Sequence, residues 1–390
     1  MFLPTKSAAC NALSKFLPDA GLEYAVQRNY DNGPDTKASV SKLSPWIRIR
    51  LLPEWEVVTA VLEQHSPADA SKFIDEVCWR TYWKGWLQMR PSVWQNYLNE
   101  RAALLEDFRS HVGYQRAIEG RTGIECFDSW NQELLDHNYL HNHARMWYAS
   151  IWIHTLKLPW QLGADWFLRH LLDGDPASNT LSWRWVAGLQ TRGKTYLARP
   201  DNIRKYTSGR FRVEESLSTE ALELDEAPPP KPMSLPDLTH PQDGLKLGLL
   251  LTEEDLSAAE WLPEQNTPSS MAKYFPTDHY EALDICPEVV EFRRKALGNS
   301  TGAGTFETPR ELVEWAKREQ LDGIITAEPT IGHWPEILKL LKAELAAENI
   351  ELFTARHWWD QTLFPHATKG FFRFKKAIPK VLEKLAVQPA

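Results

Sequence analysis

The chain has 390 residues, 43% of them hydrophobic and 25% charged, with a formal net charge of −8. It is long enough for two hydrophobic cores and too apolar for a disordered chain. Residues 1–215 carry 26 Lys and Arg against 24 Asp and Glu and the remainder 18 against 28, which excludes nucleic-acid binding through net charge alone.

In chain order, the first feature is the hydroxyl-rich run Ser39-Val-Ser-Lys-Leu-Ser-Pro-Trp46. Hydroxyls and backbone amides at a helix start suit a phosphate, and equally an ordinary cap. From Leu51 onward apolar positions recur at three and four residues, as in Trp55, Val58, Val61 and Leu62, in Phe73 and Val77, and in Trp166, Phe167, His170 and Leu171. This spacing predicts a mostly α-helical region. Within it Glu76, Trp79 and Arg80 share one helical face, and so do Asn142, Arg145 and Met146. Asp173-Gly-Asp175, Asn179 and Trp183-Arg184-Trp185 follow, with the two indoles pointing to different sides of a helix. Amides, carboxylates, arginines and tryptophans so concentrated suit a planar redox cofactor.

Residues 212–244 are acidic and rich in proline (Ala227-Pro-Pro-Pro-Lys-Pro232, then Pro236 and Pro241) and read as a linker. Beyond it strands are expected at 245–251, 323–326 and 350–353, with helices at 309–319 and 335–348 between them. That alternation predicts a small α/β domain with a parallel sheet over 245–390. Neither GxGxxG nor GxxxxGK[ST] occurs, so the common nucleotide fingerprints are missing. Cys10, Cys78, Cys126 and Cys286 are scattered, as buried reduced thiols rather than metal ligands would be. With no apolar run of membrane-span length and no signal core, a cytoplasmic monomer without membrane contact is expected. The 18 tryptophans are the compositional outlier, and most of them read as core.

Taken together, the motifs resemble, in order and spacing, the flavin-binding domain of the photolyase and cryptochrome family. They are Tyr30, Ser41-Lys-Leu-Ser-Pro45, Phe73-Ile-Asp-Glu76 with Trp79-Arg80, Gly120-Arg-Thr-Gly123 with Phe127-Asp128, His141-Asn142 with Ala144-Arg145-Met146, and Asp173 to Asn179 with Trp183 and Trp185. The resemblance covers about residues 20–212 and implies a helical FAD-binding domain over 1–211. It implies that Ser41, Leu43 and Ser44 hold the flavin diphosphate and that Tyr30, Arg80, Asn142, Arg145, Asp173 and Asp175 surround the cofactor, with Arg145 and Asp173 paired. Asn179 resembles the residue facing the reactive ring nitrogen. Trp183 and Trp160 resemble inner members of the electron-relay chain, whose third position is open to Trp94, Tyr97 or Trp130. Glu76, Trp79, Asn142, Met146 and Trp185 match positions lining a cavity for a flipped-out pyrimidine dimer. Asn142 and Met146 are of the cyclobutane-dimer branch, since the (6-4) branch carries histidines there.

The resemblance thus implies a blue-light photolyase that splits cyclobutane dimers in UV-damaged DNA by electron transfer from reduced FAD, a lyase-type enzyme. The alternative is a cryptochrome-like photoreceptor that binds FAD without repair. Departures from the family pattern concentrate at the cavity rim. No arginine lies between Tyr30 and Ser41, His143 stands where a second arginine is common, and Leu181-Ser182 replaces the usual glycine pair. Family members begin with an α/β antenna domain, whereas here the α/β segment comes last. Its stretch Thr362 to Phe374 resembles the end of that domain, so residues 245–380 are either a relocated antenna-like domain or an unrelated α/β module. Whether a second chromophore binds is open.

Overall fold

The computed structural model describes residues 2–34, 36–37, 40–191, 194–213 and 217–387. Up to residue 206 each regular element among them is helical. The Ser71–Gln88 helix is central: it buries Phe73, Ile74, Val77 and Cys78 on one side and, from Thr81 to Gln88, side chains all round. Such a pattern requires neighbours on every flank. They include the Glu54–Leu62, Pro176–Val186 and Trp358–Leu363 helices. Pro91 ends the run by its missing N–H and its steric effect on Arg90, which leaves the helical region (φ −143, ψ 57) before the Pro91–Phe108 helix begins.

The α/β part is a five-stranded, all-parallel sheet of order β3-β2-β1-β4-β5. Its strands are β1 Leu247–Leu251, β2 Ser270–Tyr274, β3 Gly304–Phe306, β4 Gly323–Ala327 and β5 Glu351–Ala355. Leu249 pairs with Met271 on one side and Ile325 on the other. Period-two alternation sends Leu249, Leu251, Ile325 and Phe353 into the core shared with the helical part. Leu250, Ile324 and Leu352 face the Pro309–Arg318 and Trp334–Ala347 helices instead. The sheet is therefore covered on both faces, as parallel sheets are.

The three expected strands became β1, β4 and β5, while β2 and β3 were not anticipated. The β2 sequence Ser-Met-Ala-Lys-Tyr carries a lysine in its middle and β3 has only three residues. Lys273 nevertheless lies inside, because its Nζ donates to the Gly298 and Thr301 carbonyls at 3.0 and 2.9 Å.

Residues 217–246 form neither helix nor strand, yet they are tied to the helices they cross. Leu222 N–H donates to His154 Nδ1 at 3.1 Å, Arg90 Nε to the Pro230 carbonyl at 2.9 Å, and Met233 N–H to the Met89 carbonyl at 2.9 Å. The two parts also meet directly through buried charge. The acidic run after β1 (Glu253, Glu254, Asp255) receives Arg48 and Arg50 of the helical part, with Arg48 2.6 Å from Glu254 and Arg50 3.0 Å from Asp255 and 2.6 Å from Asp360. Gly85 permits a close backbone approach between the two parts, since a Cβ there would stand 2.9 Å from the Phe364 Cα.

Burial lowers the affinity of several histidines for protons: His141 and His170 titrate at about 4 and His333 at about 3. Above pH 6.5 these rings are neutral both folded and unfolded. Between about pH 6.5 and 4 the unfolded chain takes up protons that the folded chain refuses, so stability falls as pH falls. The denaturant midpoint should drop steadily across that window, and a flat profile from pH 7 to 4.5 would contradict the burial of these rings.

Candidate functional site

Three segments bring charge to one place. Arg80 comes from the Ser71–Gln88 helix, Arg145 from the Asn142–Ser150 helix, and Asp173 and Asp175 from the connection before the Pro176–Val186 helix. That connection is fixed because Asp175 caps the last helix, accepting from Ser178 N–H at 2.7 Å, with Pro176 at the first turn. Arg145 Nη1 donates to Asp173 Oδ2 at 3.0 Å, and Arg80 Nη2 stands 3.8 Å from the same oxygen. Burial alone would raise the Asp173 carboxyl. Arg145 and Arg80, with a Ser44 hydrogen bond, hold it below its ordinary value. Asp175 is likewise buried, and Lys84, Arg48 and Arg80 keep it ionised.

The cluster is not self-satisfied. Arg80 Nη1, Arg48 Nη1, Asp173 Oδ1 and Asp175 Oδ2 are buried without a hydrogen-bond partner among the described residues. Each such group costs about 1–3 kcal/mol or more unless a ligand or water meets it. Buried guanidinium donors beside carboxylate acceptors fit a flavin, whose ring edge offers both donors and acceptors. Lys84 and Arg48 were missed from the sequence. The available signal was a lysine four residues after Arg80 on a helix otherwise crowded with tryptophan.

The Ser41–Ser44 turn precedes the short Ser44–Arg48 helix. Lys42 adopts φ 53, Ser41 Oγ accepts from Leu43 N–H at 3.4 Å, and Leu43 is fully buried. Ser39, part of the same hydroxyl-rich run, lies outside the described residues. Tyr30 packs edge-on against Tyr206 with centroids 5.1 Å apart.

Asn179 is buried on the Pro176–Val186 helix, and its Nδ2 donates to the Ala164 carbonyl at 2.7 Å. One turn on, Trp183 is buried against Phe167, Trp152 and Tyr148, at 5.1, 6.1 and 6.5 Å. A Cβ on Gly163 would come within 2.3 Å of the Trp183 ring, so only glycine permits this seat. Trp160 stands in a different ring series, stacked on Tyr97 at 5.7 Å, which in turn lies 5.1 Å from Trp94. Its Nε1 donates to Glu226 at 2.7 Å, and Arg184 lies over its ring while pairing with the same carboxylate at 2.7 Å. Trp130 stacks instead on Trp147, at 5.4 Å.

The five dimer-cavity candidates are all at least partly exposed, on three helices that pack together. Glu76 lies 3.7 Å from Arg28, and burial outweighs that cation to push its carboxyl up. Trp79 is stacked face to face on Phe371 at 3.9 Å and 9°. Trp185 instead has Tyr196 as its ring neighbour, at 5.8 Å. Asn142 is exposed at the first turn of its helix and Met146 lies one turn further, half-buried.

Residues 73–208 match the family model of the FAD binding domain of DNA photolyase. A deoxyribodipyrimidine photo-lyase from Streptomyces griseus is 31% identical over 212 residues, covering 50% of this chain and 46% of that protein. One from Agrobacterium fabrum is 28% identical over 191 residues, covering 48% and 39%. Among solved structures, a class III photolyase from Agrobacterium tumefaciens shares 24% identity over 52% of this chain and 43% of that one, with a TM-score of 0.40. A Synechocystis cryptochrome shares 25% identity over the same proportions of 52% and 43%, with a TM-score of 0.44. This chain spans less than half the length of the curated relatives it matches. Residues 73–208, within the helical region, are similar to the FAD-binding domain of DNA photolyase, the likeness that the motif order implied. Among the described residues no helix is long and apolar enough to cross a membrane.

Proposed function

We propose that this chain is a blue-light flavoprotein that binds FAD in the Arg80–Arg145–Asp173–Asp175 cluster and repairs cyclobutane pyrimidine dimers in DNA. The observation that carries the reading is that cluster's set of buried, unpartnered donors and acceptors. Held there in reduced form, FAD would supply the light-driven electron for dimer splitting, a chemistry with no net redox change.

The chain's own residues do the rest. Ser41, Leu43 and Ser44 offer hydroxyl and amide donors to the diphosphate, while Tyr30 and Asn142 border the cofactor. Arg80 and Arg145 offset its negative charge, and Asp173 and Asp175 accept from its donors. Asn179 presents a neutral amide, which meets a ring nitrogen by hydrogen bonding without acting as an acid. Glu76 and Asn142 read polar base edges, and Trp79, Met146 and Trp185 give the flipped bases apolar surface. Trp183 and Trp160, in their separate ring series, would pass the electrons that bring the cofactor to its reduced state.

Stacking of Phe371 on Trp79 covers one face of a lesion-contacting indole and favours a second reading, a photoreceptor without repair. Illumination of the reduced protein with a dimer-containing oligonucleotide, against a dark control, separates the two. Repair in the light alone is expected; persistence of the lesion alongside normal flavin photoreduction would hand the case to the photoreceptor. In the same assays Trp183→Phe should slow photoreduction at least about tenfold, since its ring is the buried one. Trp185→Ala should weaken dimer binding and leave photoreduction intact, and equal effects of both changes on both assays would refute this division.

A further inference from the structure

The acidic chain has one strongly basic stretch: residues 366–384 hold six Lys and Arg (Lys369, Arg373, Lys375, Lys376, Lys380, Lys384) and a single acid, Glu383. Lys375 is committed to Asp75, and Lys384 lies over the Trp358 ring. The other four are exposed, and none has a carboxylate partner among the described residues. Arg373, Lys376 and Lys380 line a surface concavity with His366 and Thr368. Beside them Phe372 is 87% exposed, the most exposed large apolar side chain described. An aromatic ring in water amid unpaired cations stabilises nothing within the fold.

The position of this patch is set by two anchors on the Ser71–Gln88 helix. Lys375 reaches Asp75 and Phe371 stacks on Trp79, so the two anchors sit one turn apart on one helix, with Glu76 between them. We propose that Lys369, Arg373, Lys376 and Lys380, with the Phe372 ring, form a binding surface for the phosphate backbone and an unstacked base of DNA next to the Glu76–Trp79 face. Cations neutralise phosphates without reading sequence, and an exposed ring stacks on any base. Between Tyr30 and Ser41 the helical part has a single cation, Lys37, which pairs with Asp19 at 2.9 Å, and burial lowers the proton affinity of His143. The C-terminal segment supplies the positive charge missing there.

This rests on the DNA-directed reading above, and the test separates the two. Fluorescence anisotropy of the full-length flavoprotein would be followed with a labelled duplex, with and without a cyclobutane dimer, over a range of salt. The triple variant Arg373→Glu, Lys376→Glu, Lys380→Glu should weaken both duplexes at least about tenfold and reduce the salt slope by about three, leaving flavin content unchanged. Phe372→Ala should weaken binding several-fold with the salt slope intact, which a purely electrostatic surface would not do. If the wild type binds DNA and the triple variant binds equally well, the surface is wrong and the repair reading stands. If the wild type binds neither duplex, both fall. Loss of binding to phosphatidylserine vesicles in the triple variant, with DNA affinity unchanged, would assign the patch to a membrane and overturn the proposal.

Discussion

Arg48→Ala should destabilise the protein by about 3–5 kcal/mol, the scale of removing one partner from a buried ion cluster. Arg48 is 2% exposed and stands 2.6 Å from Glu254, 3.7 Å from Asp175 and 3.8 Å from Glu253, while its Nε donates to the Gly174 carbonyl at 3.1 Å. Alanine leaves three buried carboxylates crowded together with less countercharge. The Glu254 carboxyl is already raised by burial even with Arg48 in place. Without the arginine the native carboxylates gain protons more readily than their unfolded counterparts, so the deficit should shrink as the pH is lowered from 7 toward 5. Urea denaturation at both pH values checks this. Arg310→Ala is the control, since Arg310 and Glu314 are both exposed and such pairs are worth about 0–1 kcal/mol. Equal midpoints for the two variants would mean that the interface is not held by this cluster.

The legible parts of this molecule are those where local pattern and tertiary role agree. The periodicity of Trp55, Val58 and Val61 gave a helix because its buried face is a simple stripe. The apolar run expected as a strand at 245–251 forms one at Leu247–Leu251 because the centre of a parallel sheet is apolar on both faces. Arg80, Arg145 and the two aspartates were legible through motif order, and they converge in space. Arg48, Lys84 and the Glu253–Asp255 run were not, because an isolated charge reads as solvated until a partner from the other part of the chain is seen beside it. The same holds for Phe371: no local pattern says that its ring lies on Trp79, almost three hundred residues earlier in sequence. Trp160 and Trp183 shared one expected role, yet their ring neighbours belong to separate series. That fact lives in packing and leaves no trace in spacing.

Asp173→Asn should strip most of the flavin from the purified protein. The substitution keeps shape and removes charge from the one carboxylate shared by Arg145 at 3.0 Å and Arg80 at 3.8 Å. Asparagine still accepts one hydrogen bond, but its NH2 group now faces guanidinium donors, and both arginines lose their counter-ion. Hydrogen bonds to charged groups contribute about 1.5–3 kcal/mol, so a loss of about 10- to 100-fold in flavin affinity is expected. Flavin absorbance relative to protein absorbance reads the effect on purification, and titration of the stripped protein with FAD gives the dissociation constant. Because Asp173 is ionised only above its depressed pKa, wild-type flavin retention should be flat from pH 8 to 5 and fall only at more acid pH. Trp185→Ala, half-buried on the far side of the same helix from Trp183, should retain its flavin. If Asp173→Asn holds FAD as tightly as wild type while Trp185→Ala loses it, the cofactor lies on the other side of this helix, and the cluster's unpartnered atoms need another explanation.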